Sequence, residues 1–168
     1  MSLPINFLLQ NGVRRFGLPA PPPGYSPRIR LQYAREALEK AGTGAKIVTC
    51  PELNNREQAI KCARFISAIS VSERPQAVVT NGDGAAWLLI EALREIGLSV
   101  PEDIMLTGVG NDDDRFHLLQ LTTVALSKQK MAEACYEAFE DALNGREKKV
   151  YVIEPKLIIR ESAPGKRT

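Results

Sequence analysis

The stretch TGVGNDDDRFH, residues 107–117, sets an asparagine and three aspartates behind two glycines. Carboxylates at that density could hold a metal ion, work as an acid–base pair, or accept hydrogen bonds from a hydroxylated ligand. A calcium loop needs ligands at alternate positions and a closing glutamate, and the stretch has neither. A zinc site needs thiolate or imidazole ligands, and His117 is the only histidine of the chain. A glycosidase pair needs a second carboxyl group raised in an apolar pocket, which this polar run does not offer. Asp113 and Asp114 read as solvated and favour the start of a short helix at Arg115. Asn111 and Asp112 are left as the residues that can face a cleft.

Whether they do depends on the elements that carry them. Residues 14–18, 45–50, 76–80 and 103–110 read as strands. Residues 27–41, 55–70 and 84–96 read as helices between them. Ser26 and Pro27 suit the start of the first helix, and Gly42 and Gly97 suit the ends of the first and third. This β-α-β-α-β-α-β order predicts an α/β fold, a parallel doubly wound sheet in α/β/α layers with right-handed crossovers. A short strand at 121–126 follows, then an amphipathic helix at 127–144 and two strands, 149–155 and 156–162, bent at Pro155. Residues 163–168 read as a frayed tail and residues 1–3 as a cloning scar.

Ligands of open α/β sheets bind beyond the carboxyl ends of the strands. Those ends carry Ser26 and Arg30, then Asn54, then Asn81 and Asp83, then Asn111 and Asp112. Arg30 lies in line with Ala34, Ala37, Leu38 and Ala41, so it starts on the inward face of its helix. A charge there needs an ion-pair partner such as Asp83, or a ligand. Amides, carboxylates and a guanidinium around one cleft suit a polyhydroxylated molecule, whose hydroxyls both donate and accept. The rim has no serine–histidine or cysteine–histidine pair, so an enzyme is not expected, and no cofactor or metal is implied.

The net charge of +2 is too small to point to nucleic acid or a membrane surface. No apolar run approaches the ~18 residues of a membrane span, and the N-terminus lacks the basic start of a secretory signal. Cys50, Cys62 and Cys135 are odd in number and form no CxxC, which fits free thiols in a reducing cytoplasm.

The sequence resembles the effector-binding region of the LacI/GalR transcriptional regulators over residues 8–162. In chain order the resemblance is carried by LLQNGVRRFGL, PPPGYSPRIRLQYAREALEKAG, PQAVVTNGDGAAWLLIEALREIGLSVPEDIMLTGVGNDD, LTTVALSKQKMAEACYEAFEDALNG and IEPKLIIRES. GLSVPEDI and LTTV are the most specific parts. The resemblance implies one lobe of a type I periplasmic-binding-protein-like fold. It implies a cytoplasmic homodimer whose small effector, a sugar or sugar derivative, alters affinity for operator DNA. The family's helix-turn-helix headpiece and N-terminal lobe have no counterpart here. The chain therefore reads as the C-terminal lobe cut from a longer protein, with DNA contacted only through the headpiece. Residues 122–153 are then the segment that normally crosses to the other lobe.

Ser26 and Arg30 match positions that touch effector in the family, and Asp83 matches the aspartate of its Asn-Asp pair, with Asn81 or Gly82 at the asparagine. The family's GFDD reads GVGN, so Gly110 stands at the ligand-binding aspartate and Asn111 or Asp112 must substitute. That departure leaves the effector, and hexose specificity in particular, open. The alternative is a transport-type periplasmic sugar-binding protein, against which the missing signal segment argues. Two helices carry apolar residues beyond the needs of one core. Ala85, Leu88 and Ala92, flanked by Trp87, form a second stripe that predicts a dimer. Met131, Ala134, Cys135, Ala138, Phe139 and Ala142 form a face expected either to fold back onto this lobe or to pair with another copy.

Overall fold

The computed structural model describes residues 1–21, 24–111, 120–147 and 149–165. Asp112, Asp113, Asp114, Arg115 and His117 lie outside the described residues, as do the last three of the tail. In chain order the elements are α1 (Ser2–Gln10), β1 (Arg15–Pro19), α2 (Tyr25–Lys40), β2 (Lys46–Cys50), α3 (Arg56–Ala68), β3 (Ala77–Val79), α4 (Asp83–Glu95), β4 (Met105–Gly110), β5 (Thr122–Ala125), α5 (Lys128–Leu143) and β6 (Lys156–Ile158). They form one sheet in the order β2-β1-β3-β4-β5-β6. The strands from β2 to β5 pair in parallel, and β6 pairs antiparallel to β5.

Alternation along the strands sorts the core into two halves. Phe16 and Leu18 of β1 and Ala77 and Val79 of β3 meet Ile5 and Leu8 of α1 and Ala34 and Leu38 of α2. Val78 and Leu106 face the other way, onto Cys62 and Ile66 of α3 and Leu89 and Leu93 of α4. The result is the α/β/α layering expected from the pattern. Gly17 lies on the second face, where an added Cβ would come within 2.8 Å of Val78 Cγ2. Asn55 caps α3, its side chain accepting from the Gln58 amide.

Several expectations are corrected. Residues 1–3, read as a cloning scar, belong to or adjoin a helix that was not expected: α1 buries Pro4, Ile5 and Leu8, and Pro4 sits in the first turn, where its missing amide is harmless. Ala41 is exposed, and the core stripe of α2 is Leu31, Ala34 and Leu38. The second stripe of α4 is largely used inside the chain, since Ala92 is buried and Ala85 and Leu88 pack against the core that α3 and α4 share. Trp87 remains partly exposed at its flank.

Residues 149–155 do not form a strand, although they alternate well. The register pairs Ala125 with Lys156, so the next pair back would set Pro155 against Leu126. One residue further, Ser127 already caps α5, so no partner strand is left. The tail is also less frayed than expected. Ala163 is fully buried, and Ser162 is stitched to two strands. Leu106 donates to the Ser162 carbonyl at 2.8 Å, the Ser162 amide donates to Gln120 at 2.9 Å, and the Ser162 hydroxyl donates to the Leu106 carbonyl at 2.8 Å. The Thr122 amide donates to that same hydroxyl at 2.8 Å.

The helix α5 does not fold back. Asp141 is its one buried residue, while Met131, Cys135, Phe139 and Leu143 face solvent. Asp141 accepts from Lys149 Nζ at 2.8 Å, Arg146 at 3.0 Å and the Tyr151 hydroxyl at 3.4 Å. Lys149 first, and Arg146 second, hold its carboxyl below the ordinary value of 3.8. A lowered folded value means that this clasp stabilises fully above pH 3.8 and is lost as pH falls through the lower folded value. Lys149→Met is expected to move the carboxyl pKa back up, as read by NMR titration of the Asp141 side chain. An unmoved titration would show that Lys149 is not the group that holds it.

Candidate ligand site

The strand order changes direction between β1 and β3. Helices leaving these two strands pack on opposite faces of the sheet, which opens a crevice at their carboxyl ends. Arg30 crosses that crevice. Its Nη1 donates to the backbone carbonyl of Asn81 at 2.9 Å, so its partner is a carbonyl and not the Asp83 carboxylate. Ser26 is one turn before Arg30 on α2, at the spacing that puts both on one face, and is exposed. Gly24, with φ 127°, precedes the helix as its N-cap residue and is a conformation suited to glycine.

Asn81 also lines a cavity of about 450 Å³ with Leu53, Asn54, Gly82, Trp87 and Leu88. Asn54 is held at its rim, with its amide N–H donating to Gln58 Oε1 at 2.8 Å and its side-chain nitrogen donating to Glu52 at 3.3 Å. Thr80 fixes the turn between β3 and α4, its hydroxyl 2.9 Å from both the Gly82 and Thr107 carbonyls. Ser26, Arg30, Asn81 and Asn54 are thus brought to one end of the sheet.

Asp83, expected at the ligand, is instead 4% exposed with both oxygens engaged inside the chain. Oδ2 accepts from the Asn111 amide and Oδ1 from the Thr123 hydroxyl, each at 2.6 Å. Buried carboxylates require such partners, and the position in the first turn of α4 adds the favourable end of the helix dipole. Asp83 therefore supports the rim from below. Asn111 adopts φ 56°, a left-handed conformation that asparagine tolerates better than most residues. Its Oδ1 accepts from Arg160 Nη2 at 2.8 Å, and Arg160 Nη1 donates to the Leu121 carbonyl at 2.7 Å. Asp112 lies outside the described residues.

Arg160 and Thr123 were not among the expected site residues. A lone arginine inside the apolar run of KLIIRES was the available signal for the first. Thr123 carried none that sets it apart from structural residues.

The fold has known relatives. The periplasmic binding protein-like domain family matches residues 5–163. The HTH-type transcriptional repressor PurR of Serratia proteamaculans is 36% identical over 97 residues, covering 56% of this chain and 28% of that protein. The HTH-type transcriptional regulator MalR of Streptomyces coelicolor is 28% identical over 177 residues, covering 99% and 51% respectively. The chain thus spans about half or less of these curated relatives. Among solved structures, a regulatory protein of LacI family from Chloroflexus aggregans superposes with a TM-score of 0.81 at 26% identity, over 96% of this chain and 59% of that one. Matching residues from α1 through the buried end at Ala163, the chain belongs to the periplasmic binding protein-like domain family, in the branch of the LacI-type regulators.

Proposed function

We propose that the chain is the effector-sensing region of a LacI-type transcriptional regulator and not an enzyme. The observation that carries the reading is Arg30, which spans the crevice at the strand ends and bonds to Asn81 beside the cavity. In this reading the effector meets Ser26, Arg30, Asn54, Asn81, Asn111 and Asp112, with Asp83 in support. A carbohydrate or carbohydrate derivative fits the mix of amide and guanidinium groups. Residues 122–153 form the segment that crosses toward a second lobe, and DNA is contacted through a headpiece. The working protein is a cytoplasmic homodimer, and the groove beside Trp87 and Leu88 between α3 and α4 is the surface available for it. No helix of the described residues is long and apolar enough to cross a membrane.

The test is a thermal-shift screen of neutral sugars, sugar phosphates and nucleobases, followed by calorimetry on the best binder. A ligand that binds only the folded state raises Tm by an amount that grows with the logarithm of its concentration over Kd. Arg30→Ala is expected to weaken that ligand by about 1.5–3 kcal/mol through loss of a charge-assisted hydrogen bond. A binder whose affinity is unchanged by the substitution would place the site elsewhere.

A further inference from the structure

The chain contains three Asn-Gly pairs, at 11–12, 81–82 and 144–145. In such a pair the glycine nitrogen can attack the asparagine side chain, because no Cβ on the second residue crowds its approach. We propose that Asn81 is a site of spontaneous modification, where a succinimide closes with Gly82 and opens to aspartate or isoaspartate beside Arg30.

The three pairs differ in what holds them. Asn11 and Asn144 are the C-cap residues of α1 and α5. Each side-chain nitrogen donates at 2.8 Å to a carbonyl one turn back, that of Phe7 and that of Glu140. Each following glycine amide is bonded as well, Gly12 to the Leu9 carbonyl at 3.1 Å and Gly145 to the Ala142 carbonyl at 3.3 Å. Ring closure at either place breaks both bonds. The middle pair has neither restraint, since the Asn81 side chain and the Gly82 amide have no hydrogen-bond partner among the described residues. Both residues are half-buried and line the cavity of about 450 Å³.

Arg30 favours the attack. The nucleophile is the Gly82 nitrogen after hydroxide from the solvent has taken its proton. The charge this leaves spreads through the peptide onto the Asn81 carbonyl oxygen, to which Arg30 Nη1 donates at 2.9 Å. The nitrogen then bonds to Asn81 Cγ, the Cγ–Nδ2 bond breaks, and ammonia leaves with a proton from water. A second water opens the ring at either carbonyl, so the net change is amide plus water to carboxylic acid plus ammonia. Opening at Cγ sets a carboxylate into the cavity wall. Opening at the main-chain carbonyl lengthens the link from β3 to α4 by one carbon and turns the carbonyl that Arg30 holds into a carboxylate. Either product adds one negative charge to the crevice, and the chemistry is independent of what the crevice binds.

Peptide mapping by mass spectrometry, after the folded chain has aged in mildly alkaline buffer, tests this. Amide-to-acid conversion is expected at Asn81 at least about fivefold faster than at Asn11 or Asn144. In urea, where the pairs share a glycine neighbour and no fold, the three are expected to convert at similar rates. Gly82→Ala is expected to keep the fold, because the backbone there is extended and an added Cβ meets only the Val109 carbonyl oxygen, at 3.8 Å. It should slow conversion at Asn81 at least about tenfold by crowding the nitrogen. Arg30→Met, with circular dichroism unchanged, should slow it about tenfold through loss of the donor to the carbonyl. Faster conversion at Asn11 or Asn144 in the folded chain overturns the proposal, as does a preference for Asn81 that survives in urea. A rate that Arg30→Met leaves unchanged or raises overturns the part given to the guanidinium.

Discussion

Asp83→Ala is expected to destabilise the fold by about 3–4 kcal/mol, from two hydrogen bonds to a charged group at about 1.5–3 kcal/mol each, partly offset by relaxation. The substitution strands the Thr123 hydroxyl in the interior and leaves the half-buried Asn111 amide without its carboxylate partner. Asn111 is also in a left-handed conformation, so its loop loses the bond that holds it there. Urea unfolding measures the effect as a lower midpoint at unchanged slope. Asp83→Asn keeps one acceptor oxygen, and the Thr123 hydroxyl can turn to accept from the new amide, so its cost is expected to be about half as large. A loss below about 1 kcal/mol for the alanine variant would mean that the carboxylate is not what ties β4, β5 and α4 together.

Gly108→Ala is expected to cost about 3 kcal/mol, at the upper end of overpacking effects. The glycine is needed for space and not for its backbone angle. An added Cβ would run into the Asp83 carboxylate, and it would stand 3.0 Å from Leu121 Cδ2 and 3.2 Å from Asp83 Cα. The last is backbone and cannot step aside. Because the worst contact is with the Asp83 side chain, the two substitutions should couple. In the Asp83→Ala background, Gly108→Ala is expected to cost at least about 1 kcal/mol less than alone. Strict additivity in that cycle would show that the two residues do not share the space the structure gives them.

The layering from β1 to β4 was legible because strand alternation and helical period are local signals. Ala77, Val78 and Val79 show it in three residues, each facing the layer opposite to its neighbour's. The α1 helix was hidden by its brevity and by Pro4, which reads as a breaker unless its place in the first turn is known. Residues 149–155 alternate as a strand should, but pairing is non-local and β5 ends where they would need it. Among site residues, the direction of Arg30 followed from helix spacing. Its partner did not, because a carbonyl and a carboxylate two residues apart are equally near in sequence terms. Asp83 read as a ligand group for the same reason. Only the approach of β5 through Thr123 shows that its oxygens are taken.

The stitching at Ser162 bears on how the protein is made. A ribosome adds this residue after every strand of the sheet has been synthesised. Until then Leu106 in β4 and Thr122 in β5 have no partner for the bonds that Ser162 supplies. The nascent chain can therefore assemble its first layers while synthesis continues, but β4 and β5 stay incomplete until this last clasp arrives. A premature stop or exopeptidase trimming that removes residues 160–163 would release interior sheet bonds, not a loose end.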